Sequence, residues 1–123
     1  MPSLARRLTA EALGTFGLVF VGAAVVVVNG GFPNSGIGLL GISLAHAVVL
    51  SVMVTATMTI SGGHLNPAVT LGLLVGRRID PVSAAAYIVA QLAAACVAAL
   101  LVKLLFPYLA VRNAMLGVPV IAN

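Results

Sequence analysis

Three stretches of this chain run for about twenty residues or more with almost no charge, at about residues 9–29, 36–59 and 82–106. Glu11 is the only charge in the first, and Lys103 falls near the end of the third. A membrane-spanning helix needs roughly 20 apolar residues, so each stretch is long enough to cross a bilayer. Only 7% of the residues are charged, against about 25% in ordinary soluble domains. That is too few to coat a water-facing surface, so the chain is read as a multi-pass membrane protein. The first stretch is too long for the apolar core of a signal peptide and ends without a small-residue cleavage site, so no cleaved leader is expected.

The net charge of +4 comes from Arg6, Arg7, Arg77, Arg78, Lys103 and Arg112 set against Glu11 and Asp80. Every basic residue lies at the edge of an apolar stretch. That is a topology signal rather than a nucleic-acid face, and no nucleic-acid partner is expected. With three spans, the four arginines at 6, 7, 77 and 78 fall on one side and Lys103 and Arg112 on the other. The excess predicts a cytoplasmic N-terminus in a cell (plasma or inner) membrane. Cys96, the one cysteine, lies inside an apolar stretch and is read as a small packing residue. No carboxylate pair or nucleophile–base pair is present, so enzyme activity is not expected. His46 and His64, eighteen residues apart on different elements, make a poor metal site, and no cofactor is expected.

The spans are rich in glycine and alanine, including Gly14, Gly17, Gly22, Gly38, Gly41 and Ala45. Small residues let helices approach closely in lipid, which predicts a tightly packed bundle. "GGFPNSG" between the first two stretches is a turn signal. Before the third, Asp80 suits an N-cap and Pro81 a first helical position. The segment 107–123 is mixed and contains Pro119; it is predicted to be a connecting loop.

Between the second and third stretches lies "SGGHLNPAVTLGLLVGRR", residues 61–78. It opens on irregular backbone, then starts a helix at Asn66–Pro67, an N-cap followed by a first-turn proline. From Asn66 to Gly76 that helix is only about 16 Å long at ~1.5 Å per residue, half of a hydrocarbon core ~30 Å thick. A short helix lying along the membrane interface would also be this long, but residues 68–76 offer no polar face. A re-entrant half-helix over about 61–76 fits better. Its start would then bring free N–H groups and the positive end of its dipole near mid-membrane. The Asn66 amide would add a donor, and the carbonyls of Gly62, Gly63, His64 and Leu65 would add acceptors. Such a ladder suits a small neutral solute in single file, while the positive helix end repels cations and protons.

"SGGHLNPAVT" resembles the first NPA loop of the major intrinsic protein family, the aquaporins and aquaglyceroporins. "EALGTFGLVF" is similar to the family's first helix, "AAYIVAQLAAACVAALL" to its third, and "LGVPVIAN" to the loop that follows. The resemblance covers nearly the whole chain but only the first half of a family member, a six-helix inverted repeat with two NPA half-helices. It implies an all-α transmembrane fold: half of an aquaporin-like right-handed bundle, with three spanning helices and one re-entrant half-helix. It also implies a passive channel for water or small uncharged solutes such as glycerol, urea or ammonia, completed by a second half or an antiparallel copy. Complete pores would assemble as a tetramer in the lipid bilayer.

Residue by residue, Asn66, Pro67 and Ala68 match the NPA motif, with Asn66 hydrogen-bonding the solute. Gly62, Gly63, His64 and Leu65 match the carbonyl ladder. Glu11 matches a buried glutamate that anchors the loop, since a carboxylate within a span wants donors; snorkelling to the headgroups is its alternative. Gln91 is expected to bond the same loop, or else simply another helix. His46 falls where the family's constriction has Phe in water channels and often Trp in glycerol channels, so the pore would be wider and more polar; mere packing against a neighbouring helix is the alternative. A second function class is a non-conducting truncated or interaction subunit that keeps the loop for packing.

Overall fold

A computed structural model of the protein describes residues 2–32 and 34–117. Among these, five α-helices follow one another: α1 Leu4–Gly31, α2 Gly38–Ser61, α3 Pro67–Val75, α4 Pro81–Leu105 and α5 Tyr108–Ala114, then a 3₁₀ turn at Met115–Gly117. No strand occurs among the described residues. With 28, 24 and 25 residues, α1, α2 and α4 are apolar and long enough to cross a membrane. The nine residues of α3 reach only about 14 Å at ~1.5 Å per residue. The fold is all-α and transmembrane, three spanning helices and a half-length one.

The ends of the elements follow local chemistry. Helix α1 starts at Leu4, five residues before the apolar stretch, because the Ser3 hydroxyl accepts from the Arg6 N–H at 3.4 Å. Arg6 and Arg7 therefore belong to the helix rather than to a tail. Asp80 caps α4, accepting from the Ser83 N–H at 2.8 Å, and Pro81 opens the first turn. Hydrogen bonds from Ser83, its side chain first, hold the exposed Asp80 carboxyl below its ordinary pKa, which keeps the cap charged.

Segment 107–123 departs from its expectation as a connecting loop. Residues 108–114 form α5, while 118–123 lie outside the described residues. The seven-residue helix is too short to carry a legible apolar period. Its stability comes from packing: Ala110 and Val111 join Val27 and Val102 in a buried apolar cluster. Gly31 makes this possible, because a Cβ there would overlap Ala110.

Helix α1 lies between α2 and α4, α3 packs on α4, and α5 covers the end of α1. The glycines of α1 act as sockets for single side chains. Gly14 receives Leu65, Gly17 receives Met53 and Gly22 receives the His46 ring. Much of the remaining surface of α2 and α4 is apolar and exposed, with Leu39, Leu44, Val48, Val89, Leu100 and Leu104 outward. Arg7 reaches Ser83, which puts the starts of α1 and α4 at one end; α5, after α4, lies against Gly31 at the other.

Candidate functional site

The site is the reversal between α2 and α3. Gly62 ends α2 in the left-handed region (φ 94°), its N–H donating to the Met58 carbonyl at 3.1 Å. Gly63 continues at φ 63°, and a side chain on it would meet the Val54 carbonyl at 3.2 Å. Glycine suits both positions, since other residues are strained there. Leu65 is also left-handed, at φ 51°, which costs a side-chain-bearing residue on the order of 1–2 kcal/mol. Its conformation is fixed from three directions. Its N–H donates to Glu11 Oε2 at 2.7 Å, its carbonyl accepts from Thr15 Oγ1 at 3.1 Å, and its side chain is buried over Gly14.

Glu11 is fully buried, turned into the bundle rather than toward headgroups. Oε1 accepts from the Ser61 hydroxyl at 2.6 Å and the His64 N–H at 3.0 Å; Oε2 accepts from the Leu65 N–H and from Gln91 Nε2 at 2.8 Å. One carboxylate thus ties together α1, the end of α2, the loop and α4. The His64 contact is made by its backbone, not its imidazole. Gln91 gives its second amide hydrogen to Thr70 at 3.1 Å, so it binds both anchor and half-helix. Its carbonyl oxygen is buried with no partner among the described residues.

Thr70 organises the start of α3. Its hydroxyl donates to the Asn66 carbonyl at 3.2 Å and accepts from Gln91. It also lies 3.1 Å from His64 Nδ1, a hydrogen bond whose direction follows the tautomer of the imidazole. The imidazole meets the Tyr87 ring edge-on, centroids 5.1 Å apart. Tyr87 in turn donates its hydroxyl to the Ser61 carbonyl at 2.9 Å, and Arg7 lies 5.8 Å over the Tyr87 ring.

Asn66 caps α3, its Oδ1 accepting from the Ala68 N–H at 2.8 Å, with Pro67 in the first helical position. That bond fixes the amide, so its NH2 group faces away from the helix. Pro67 has no N–H and Ala68 is capped, which leaves the Val69 N–H at the helix start with no partner among the described residues. His46, His64, Leu65 and Asn66 line one open groove of about 330 Å³ with Leu18, Ala47, Leu50 and Val69. The His46 Nδ1 lies 2.9 Å from the Ile42 carbonyl, which can only accept, so Nδ1 carries a hydrogen.

Of the expected site residues, His46, His64, Leu65 and Asn66 meet in the groove. Glu11 and Gln91 sit behind the loop, and Gly62 and Gly63 form its bend rather than lining that groove. Pro67 and Ala68 serve the helix start. Sequence reasoning missed Ser61, Thr15, Thr70 and Tyr87. Two of them carried a signal: Thr15 is one turn beyond Glu11, and Tyr87 one turn before Gln91, so each pair shares a helix face.

A half-length helix started by Asn-Pro, held by a buried carboxylate inside three spanning helices, defines a class of polytopic membrane proteins built on re-entrant half-helices. The chain belongs to the major intrinsic protein family, whose profile matches residues 1–121. Among its relatives, Aquaporin Z of Photorhabdus laumondii is 48% identical over 94 residues, 76% of this chain and 41% of that protein. Aquaporin Z of Rhodopseudomonas palustris is 49% identical over 96 residues, covering 78% and 40%. Glycerol uptake facilitator protein-like 6 of Lactiplantibacillus plantarum is 44% identical over 112 residues, covering 91% and 49%. The chain spans less than half the length of these relatives.

Proposed function

We propose that this chain contributes the first half of a passive channel for water and small uncharged solutes. The observation that carries it is the anchored start of α3, where Asn66, with its amide oxygen used by the cap, and Val69 line one open groove with His46 and His64. Donors fixed by a cap need no rearrangement to meet a passing solute, and a helix N-terminus disfavours cations there. The names of the relatives, Aquaporin Z and glycerol uptake facilitator, are in keeping with such cargo. The groove is one-sided, so a second half, from further chain or from an antiparallel copy, must close it. Complete pores assemble as tetramers in the cell membrane. The N-terminus is cytoplasmic, with Arg6, Arg7, Arg77 and Arg78 on the retained side.

Asn66→Leu tests the central role. In the complete channel, it removes a donor worth about 1 kcal/mol or somewhat more, so osmotic permeability should fall roughly tenfold. Stopped-flow light scattering on proteoliposomes, normalised to inserted protein, measures it. Unchanged permeability excludes Asn66 from the pore, and a complete wild-type assembly, second half included, no more permeable than empty liposomes favours the non-conducting subunit.

His46→Phe tests selectivity. The imidazole is smaller and more polar than a phenylalanine ring. The variant should cut glycerol and urea flux several-fold while reducing water flux less. Equal changes for all solutes place His46 outside the constriction, as a packing group over Gly22.

A further inference from the structure

At the end of the bundle remote from the arginine-rich ends of α1 and α3, two cations stand without an acid among the described residues. Lys103, in the last turn of α4, and Arg112, in the last turn of α5, are both exposed and line one cavity of about 620 Å³ with Tyr108 and Leu116. The chain's only acids are Glu11 and Asp80. Glu11 is buried under the loop, and Asp80 caps the opposite end of α4. The two helix C-termini offset only about half a unit charge each. Below this cavity a second one, about 330 Å³, continues along α4 past Leu100 and Ala99, sharing Lys103 and Leu116 with the first. A charged mouth therefore opens into an apolar trough that runs along a spanning helix.

We propose that Lys103 and Arg112 bind the headgroup of an anionic phospholipid, with one acyl chain lying in the trough along Ala99 and Leu100. The phosphate supplies a counter-charge that no acid among residues 1–123 offers these two cations. The Tyr108 phenol, exposed at the rim, has an amphipathic ring suited to headgroup depth. Topology adds a second reason. In the proposed orientation these cations lie on the translocated side, where Lys and Arg are normally depleted, so their retention there calls for a ligand. The proposal does not depend on which solute the channel passes.

Native mass spectrometry of the protein in its complete membrane assembly tests it. The probes are phosphatidylglycerol, phosphatidylcholine with the same acyl chains, and inorganic phosphate. Each cation near an anionic headgroup gives roughly fivefold preference, hence about 25-fold for phosphatidylglycerol over phosphatidylcholine. The Lys103→Gln/Arg112→Gln variant, changed only at exposed positions, should bind the two lipids alike. Ala99→Phe should weaken both lipids and leave their ratio unchanged. Three results overturn the proposal: no preference in the wild type, preference retained in the double variant, or displacement of the lipid by phosphate alone. An equal loss in Arg77→Gln/Arg78→Gln would move the site to the opposite end.

Discussion

Glu11→Leu is expected to remove a large share of the stability of the fold. The carboxylate accepts from the Ser61 hydroxyl, the His64 and Leu65 N–H groups and the Gln91 amide. Leucine removes every acceptor and leaves those donors buried in an apolar bundle. Ser61 retains a weaker partner in the Thr57 carbonyl at 3.3 Å, which leaves three orphans. At about 1–3 kcal/mol each the loss is on the order of 3–9 kcal/mol, comparable with the whole stability of a typical fold, about 5–15 kcal/mol. Leu65 would suffer most, because its left-handed backbone loses one of the bonds that hold it.

Glu11→Gln keeps the shape but turns an amide NH2 toward donors. One oxygen can still serve one side of the old carboxylate, so the damage should be about half as large. Melting in detergent, followed by fluorescence size-exclusion, should rank wild type above Gln above Leu. Equal melting of all three would mean that the loop holds without the carboxylate. A restored melt in Glu11→Asp would show that charge matters more than reach.

The broad fold was legible because lipid leaves few choices: apolar stretches of spanning length become helices, and Asn-Pro after a glycine pair starts a new one. The half-helix stood out because its apolar stretch is too short to cross. What the sequence hid is the network behind it. Ser61 and Thr70 are small polar residues in apolar context, and such residues occur in spans for packing alone. Their roles follow only from Glu11 and Gln91 meeting across the bundle, a contact between residues 80 positions apart. Tyr87 shares a helix face with Gln91, but its bond to the end of a different helix has no mark in the sequence. Helix α5 escaped because its order comes from Gly31 and the Val27–Val102 cluster, not from its own seven residues. His46 had two readings in the sequence, constriction or packing, and its position is compatible with either: it seats on Gly22 and also lines the groove.

Residues 1–123 alone, in one orientation, are expected to carry no water above empty liposomes. The groove beside Asn66 is open, and His46 and Asn66 are exposed on it. Facing hydrocarbon, the Val69 N–H and the Asn66 amide would each cost several kcal/mol unpaired. A second half must therefore cover them. Two copies could do this only by inserting with opposite orientations, as inverted repeats require. Dual insertion needs nearly balanced basic residues on the two sides, and four against two is not balanced. A second half of different sequence, from further chain or from another protein, is thus favoured over a self-complementary dimer. Cysteines placed at Ser3 and at Ser35 in a Cys96→Ala background, labelled in whole and in lysed cells, distinguish the two. Labelling of each site from one face only, together with permeability that appears only when a second half is co-reconstituted, is the expected pattern. Comparable labelling of each site from both faces would make the antiparallel homodimer the better arrangement. Permeability from a singly oriented chain would mean that three spans and one half-helix enclose a path after all, through contacts among like copies rather than an inverted partner.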